Sequence, residues 1–425
     1  MRLIPRTIVL LTLSAVLLGL TAPPATAAPK FKIEPMVTVG GRMESNFFNT
    51  EEDERDVYTF LAQPGVMVGL ETPKTEAPLH YTLEGYMYED VGDAPEGAPD
   101  ISDLDYIGHL ANLEFRHRPA RRLTVGLDNA FYRTRYPTAY DRLSDSIFLG
   151  RYDINRLTPM IFYDWENKFS AGLRYRRTDL WYEEENPNDS VEHRFIGNLV
   201  YDPTRTLTLD LELQHWWMDY DNIDRDYDSS QIKIIGQKRY KHFAFDAGLG
   251  FHTRDYDNPE IEDGDIIAYK VSVLYQNPPP PEGRRYLGDR FVRARTHGYL
   301  GFERNFNNYG TDYIGHRLTW DFGHVFVDKI QARIKGYYQM SDYETAMGLT
   351  PAGNLEVRDD DTIYAAASVG YLITDEMDLT LTAGLEERDS NIAGGSFDNE
   401  FMMLTYNWNF EFQSRGGYTE EGIYY

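Results

Sequence analysis

The chain has 425 residues, no cysteine and a formal net charge of −26. Without cysteine there is no disulfide, no thiolate metal site, no cysteine nucleophile and no lipidated cysteine at a cleavage site. A chain this acidic is also a poor match for a nucleic-acid-binding protein, whose contact surface is basic.

The first element in chain order is an export signal. Arg2 and Arg6 give the start a positive charge, an apolar run follows, and residues 25–27 form a small-residue cleavage site. The apolar run is too short for a helix that spans a membrane. We therefore predict a signal peptide over 1–27 and an exported mature chain from residue 28.

Alternation of apolar and polar residues dominates the mature chain. Residues 205–214 carry leucine at every second position, from Leu207 to Leu213, with polar residues between them. A period of two places the leucines on one face of a strand and the polar residues on the other. This pattern predicts an all-β protein, but it leaves open both a soluble exported β protein and an outer-membrane barrel.

Three further features favour the barrel. Many alternating runs reach about ten residues, which is longer than the usual soluble strand of about five or six. Aromatic residues such as Trp216, Trp217 and Tyr220 close the runs, where membrane interfaces favour them. Short and long connections also alternate, as periplasmic turns and external loops do. We predict a single closed antiparallel transmembrane β-barrel of about 18 strands in the outer membrane of a Gram-negative bacterium.

The predicted boundaries follow from these runs. We assign residues 28–412 to the barrel and 413–425 to a periplasmic C-terminal tail. Residues 278–284 are predicted as a short periplasmic turn and 341–360 as a long external loop. Pro64 and Pro159 fall inside strands, and because proline lacks an N–H we expect a β-bulge at each.

Particular residues suggest a family. They are the Pro64-Gly65-Val66 step in the second strand, the Asp-Tyr pairs that end outward strands (Asp219-Tyr220, Asp255-Tyr256 and Asp342-Tyr343), and the aromatic last strand from Tyr406 to Phe412. They resemble the β-barrel porin type 2 family over essentially the whole mature chain. The resemblance implies an outer-membrane channel associated with secretion of polysaccharide or exopolysaccharide. Its motifs are patterns and bring no catalytic residue.

If the apolar face of each strand contacts lipid, the residues at the alternate positions line the lumen, and this predicts which charges face inward. Late strands then point a basic wall inward: Lys270, Arg293, Arg295, His297, Arg317, Arg333 and Lys335. Earlier strands point an acidic wall inward: Glu84, Glu114, Asp128, Asp210, Glu212 and Asp246. Two such walls would create a field across the channel that attracts charged solutes. The alternative is that these charges form ion pairs with each other and only keep the lumen wall hydrated.

Three functions remain open at this point. The first is a conduit for a secreted polysaccharide, the second a diffusion porin for small polar solutes, and the third an outer-membrane enzyme. No nucleophile, zinc or phosphate-loop motif supports the enzyme, and we expect no cofactor and no metal site. The expected partners are outer-membrane lipid and lipopolysaccharide, the barrel-assembly machinery and, for a conduit, a polysaccharide export system.

Overall fold

The computed structural model describes residues 29–52, 54–92, 100–135, 151–165, 168–183, 188–277, 295–307, 313–374 and 376–409. The strands of these residues are β1 (Lys30–Glu44), β2 (Val57–Glu71), β3 (Thr75–Asp90), β4 (Tyr106–Ala120), β5 (Leu123–Thr134), β6 (Tyr152–Trp165), β7 (Phe169–Tyr182), β8 (Ser190–Thr204), β9 (Leu207–Tyr220), β10 (Tyr227–Arg239), β11 (Phe243–Tyr256), β12 (Gly264–Asn277), β13 (Thr296–Phe306), β14 (Tyr313–Phe326), β15 (Ile330–Leu349), β16 (Leu355–Leu372), β17 (Met377–Ser390) and β18 (Phe397–Asn409). A short 3-10 helix, Ile101–Leu104, lies between β3 and β4. Across these same ranges, no helix is long and apolar enough to cross a membrane.

The sheet closes on itself. Each strand pairs antiparallel with the next along the chain, and all 18 described strands belong to one sheet. The last strand returns to the first, with β1 and β18 in register from Met36 opposite Asn409 to Glu44 opposite Phe401. The predicted closed antiparallel barrel of about 18 strands is therefore confirmed.

The two faces of the wall have opposite chemistry. Large apolar side chains are exposed on the outside, as at Leu249, which is 62% exposed, and Leu173, which is 54% exposed. Polar side chains are buried on the inside, with Glu192 and His252 both 0% exposed. An apolar exterior around a polar interior is stable only when the exterior contacts lipid. The protein is an integral barrel of the outer membrane, as the sequence predicts.

The segment 341–360, predicted as a long external loop, is mostly strand in the structure. Residues on both sides of a turn at 350–354 continue the ladder of β15 and β16, with a register shift between Asp342 and Met347. Apolar side chains stabilise this extension in cross-strand pairs, Met347 with Val357 and Leu349 with Leu355. The extension is also tied to the neighbouring loop, because the Ala393 N–H donates to the Leu349 carbonyl over 2.8 Å.

The bulges predicted at Pro64 and Pro159 are also wrong. Pro64 lies in register opposite Val37, and Pro159 lies opposite Leu127, with no register shift at either proline. On the other side of β2, pairing stops at Ala62 and resumes at Gly65 in the same register. Each proline therefore removes a backbone hydrogen bond to one neighbouring strand, and no extra residue is inserted as in a bulge.

The turn predicted at 278–284 lies between β12 and β13. The described part of β13 begins at Thr296. Strand β12 ends at Asn277, directly before four consecutive prolines that cannot donate to a ladder. Residues 278–294 lie outside the described ranges, as do the predicted signal peptide and C-terminal tail, which stay predictions.

Candidate functional site: the lumen wall

The predicted lumen residues occupy the inward parity of their strands wherever the structure describes them. The basic ones lie on β12 to β15, except that Arg295 directly precedes β13 and Arg293 lies outside the described residues: Lys270, Arg295, His297, Arg317, Arg333 and Lys335. The acidic ones lie on β3, β4, β5, β9 and β11: Glu84, Glu114, Asp128, Asp210, Glu212 and Asp246.

The late strands also carry carboxylates that the sequence reasoning missed. Asp321 on β14 accepts from His297 Nε2 at 3.2 Å and from Arg333 Nε at 2.7 Å. Glu303 on β13 lies in register between Lys270 and Arg317. Neighbouring inward side chains on antiparallel strands are about 5 Å apart, so an uninterrupted row of cations would be costly.

The early strands are mixed in the same way. Arg116 forms an ion pair with Asp128, and Arg174 lies 3.7 Å from Glu212. Asp210 accepts a hydrogen bond of 3.1 Å from the Asn198 side-chain amide. Both halves of the lumen wall therefore carry cations and carboxylates together, and several of the carboxylates accept from a neighbouring basic or amide side chain.

Three buried charges of the wall form a cluster that the sequence reasoning did not find. Glu192 on β8 accepts from Arg176 Nε at 2.8 Å and from Arg194 Nη2 at 2.7 Å. The Arg194 guanidinium also lies 3.9 Å from the centre of the Trp216 ring. We call these four residues the glutamate clamp. The inward parity of Arg176 and Arg194 was readable from the sequence, but their meeting at Glu192 depends on the register of β7, β8 and β9.

A second assembly follows the opposite side of the lumen, and we call it the aromatic row: Arg317, Tyr337, Tyr364, Phe401 and Arg42. The Arg317 guanidinium lies 4.0 Å from the centre of the Tyr337 ring. Tyr337 stacks on Tyr364 at 5.6 Å, and Tyr364 stacks on Phe401 at 6.0 Å between ring centres. The Arg42 guanidinium lies 4.4 Å from the Phe401 ring and closes the row.

Loop residues fold inward at the outer mouth. On one side Phe47 and Ile101 pack against the inward tyrosines of β3 and β4. Arg55 anchors this part, since its Nη2 donates to Asp90 Oδ2 over 2.7 Å. Donation of this hydrogen bond to the Asp90 carboxylate raises the pKa of Arg55 above its usual value, so the guanidinium stays charged.

The same end of the lumen carries contacts between non-adjacent strands. His252 Nδ1 lies 2.7 Å from Asn305 Oδ1, and Arg254 Nη2 donates to the Asn307 carbonyl over 2.6 Å. These contacts link the end of β13 to β11 across the intervening strand β12. The described wall therefore carries charged side chains along its strands and packed, hydrogen-bonded side chains at this end.

No family model matches the sequence, and a search of curated proteins finds no match. Solved structures of similar shape exist. The crystal structure of the outer membrane protein OpdK from Pseudomonas aeruginosa is 12% identical with a TM-score of 0.46, covering 89% of this chain and 99% of that one. OpdK from the same organism with vanillate is 11% identical, TM-score 0.48, covering 89% and 99%. OccAB4 from Acinetobacter baumannii is 12% identical, TM-score 0.46, covering 89% and 98%. The likeness extends along the barrel and says nothing about individual lumen residues.

Proposed function

We propose that the protein is a channel through which small polar solutes diffuse across the outer membrane. The inward face of the wall is the observation that supports this most. A barrel of 18 strands is too wide for its wall side chains to fill, so its interior holds water unless loops occupy it. Charged pairs such as Arg116–Asp128 and Arg174–Glu212 on that face are favoured beside water.

The polysaccharide conduit implied by the sequence resemblance is the less favoured function. A polymer needs a continuous wide passage, whereas Phe47 and Ile101 fold inward at the outer mouth and Asn305 and Asn307 are bonded to β11 at the same end. Hydrogen bonds and an ion pair hold these residues in place. A passage of this form favours small solutes over a chain of sugars.

We further propose that ion preference depends on a smaller part of the predicted basic wall. Arg333 and His297 share Asp321, and this carboxylate offsets the charge that Arg333 presents to a solute. Arg317 differs, because its guanidinium lies on a ring and its Nε atom has no hydrogen-bond partner. Ion preference is therefore expected to depend on Arg317 and on the exposed Arg295 more than on Arg333.

The test is conductance of the purified protein in planar bilayers, combined with liposome swelling in a size series of solutes. We expect stable single-channel steps, entry of monosaccharides and amino acids, and exclusion of dextran. Vesicles prepared with heat-denatured protein are the control for detergent leakage. A protein without conductance, or one that admits dextran as readily as glucose, would contradict the proposed function.

A further inference from the structure

The hairpin of β15 and β16 extends beyond its neighbours in the wall. Within the described part of the chain, the last residue that pairs with β14 is Tyr343, and the last that pairs with β17 is Asp360. Beyond them the ladder continues between β15 and β16 alone, up to Leu349 opposite Leu355. At a rise of about 3.4 Å per residue, the end of β16 lies about 17 Å past Asp360.

The inner face of this extension is covered by the neighbouring loop. Ile392 lies against Gly348, since a Cβ atom added to this glycine would be 2.8 Å from Ile392 Cγ2. Asn391 holds the loop to β16, because its Nδ2 donates to the Val357 carbonyl over 2.7 Å. The inner face therefore already has an occupant, which is part of the same chain.

The outer face of the extension is apolar and exposed. Leu355 and Val357 keep the parity that points Val369 toward lipid, and Leu349 and Met347 lie opposite them. Leu355 is 61% exposed and Leu349 is 59% exposed. Apolar side chains grouped on an exposed surface are typical of a contact site. We call this group the tip patch: Met347, Leu349, Leu355 and Val357.

Carboxylates separate the tip patch from the lipid-facing side chains below it. Asp342 lies directly opposite Asp359, and Asp361 lies directly opposite Asp389, all exposed at outward positions. We call these four residues the acidic belt. Carboxylates are costly inside the hydrocarbon of a bilayer, so the belt lies at or beyond the membrane surface. The tip patch lies farther out still, where lipid chains do not cover it.

The acidic belt attracts cations. His316 Nε2 lies 3.6 Å from Asp342, and across the described ranges no lysine or arginine forms an ion pair with any belt residue. Like charges directly opposite each other on neighbouring strands are destabilising, and a cation from outside would relieve this. A second copy of the chain does not fit, because two tips packed face to face would bring one acidic belt against the other.

We propose that the tip patch and the acidic belt form a docking surface for a basic amphipathic segment of another protein outside the cell. The apolar side chains of this segment cover the patch, and its lysines or arginines lie over the belt. A patch of four side chains is small, which suits a transient complex. This contact goes beyond the proposed channel function and does not depend on conduction.

The test uses the full-length barrel in nanodiscs of phosphatidylcholine, a lipid without net charge. The probe is a short fluorescent peptide whose one strand face carries leucines followed by lysines, with threonine at the alternate positions. Fluorescence anisotropy measures its binding, and empty nanodiscs are the control for lipid. We expect binding to the barrel that weakens by about tenfold when serine replaces leucine, or glutamate replaces lysine, in the peptide.

Leu349→Thr combined with Leu355→Thr tests the tip patch. Threonine is also favoured in strands, so the hairpin stays paired while the apolar surface is lost. Binding should fall by about tenfold. Asp359→Asn tests the acidic belt without changing the patch. It should weaken binding several-fold and make it less sensitive to salt.

Two matched controls should bind the peptide like the native barrel. Val327→Thr removes another exposed apolar side chain, which is 74% exposed in the turn at the opposite end of β15. Asp255→Asn removes a carboxylate that lies opposite Asp228 on β10 and β11, away from the tip patch. Weaker binding in these controls would show that the peptide does not select the tip.

Other results would overturn the proposed docking surface. They are no binding to the native barrel, equal binding of the peptide that carries serine for leucine, and unchanged binding to the double threonine variant. Lipopolysaccharide added to the nanodiscs might occupy the tip instead, and retention by the native barrel but not by the threonine variant, without peptide binding, would assign the patch to lipid. A dimer in light scattering that the threonine variant loses would assign it to a second copy.

Discussion

The glutamate clamp and the aromatic row use the same kinds of side chain on opposite sides of one lumen. In the clamp, Glu192 lies between Arg176 and Arg194, and its own exposure is 0%. In the row, rings occupy the space between the two guanidiniums, and Glu44 offsets the charge at one end only. The position of the carboxylate therefore decides whether arginine and aromatic side chains form a closed ion cluster or a row of stacked rings.

The largest effect is expected from Glu192→Gln. This variant leaves two buried guanidiniums without the carboxylate between them, and breaking a buried ion pair from one side costs about 3–5 kcal/mol. We expect a loss of this size in the free energy of unfolding, measured by urea titration of the reconstituted barrel with tryptophan fluorescence.

Asp246→Asn is the control for the clamp. Asp246 also faces inward, but it is only half-buried and its Oδ1 has no hydrogen-bond partner. Its replacement should change the free energy of unfolding by less than about 1 kcal/mol. Equal losses in the two variants would show that the clamp is no more important for stability than any other lumen carboxylate.

The second prediction concerns the faces of β15, the strand that carries Tyr337. Ile334 is 53% exposed on the outer side of the wall, so Ile334→Arg places a cation in lipid and should cost about 2–4 kcal/mol. Lys335→Gln, on the inward side, should assemble normally. Heat-modifiable migration on gels measures assembly, and matching defects in both variants would contradict the assignment of faces.

A smaller effect is expected from Gly384→Ala. The added Cβ meets the Ala365 carbonyl oxygen and Phe401 Cζ, each at 2.6 Å, so the ring must move away from Tyr364 and the backbone of β16 must shift slightly. The barrel should still assemble, with a free energy of unfolding lower by about 1 kcal/mol because the stacking of Tyr364 on Phe401 is lost. Gly248→Ala is the matched control, because its nearest contact is an ordinary 3.4 Å to Ile235. Equal free energies of unfolding in the two variants would mean that the contact between Tyr364 and Phe401 contributes nothing to stability.

The smallest effect on the channel is expected from a peptide epitope inserted after Gly353. This residue lies in the turn between β15 and β16, where its φ of +82° marks a tight turn, and a Cβ atom added to it would have no neighbour within 4 Å. Antibody should label the epitope on intact cells, with conductance unchanged. Labelling only after cells are broken open would invert the orientation of the barrel.

Much of the fold was predictable from the sequence because lipid imposes a strict period of two. Leu207 to Leu213 already distinguish outside from inside, and each inward residue predicted on a described strand follows from that parity. The extended β15–β16 hairpin was missed because polar residues such as Asp359 and Asp360 are typical of loops. In the structure the Asn391 side chain accepts from the Asp359 N–H over 2.8 Å and continues the sheet.

The candidate sites were less predictable because they depend on register. Glu192 and Asp321 have the correct parity in the sequence, but parity does not say which arginine is opposite. The aromatic row is harder still, since Tyr364 meets Phe401 only across the empty inward position of Gly384. A one-residue slip between two strands would leave composition unchanged and destroy both assemblies.

The pairing of β1 with β18 has a consequence for how the protein is made. The Thr38 hydroxyl donates to Asn407 Oδ1 over 2.9 Å, across 369 positions of sequence. One edge of β1 pairs with β2, but its other edge stays unpaired until β18 has been synthesised. Until then, the free edge of β1 can pair with a strand of another protein. A nascent chain cut short anywhere before β18 does not give a smaller barrel in this register. It leaves β1 without its partner, so synthesis of β18 decides whether the seventeen strands before it can close.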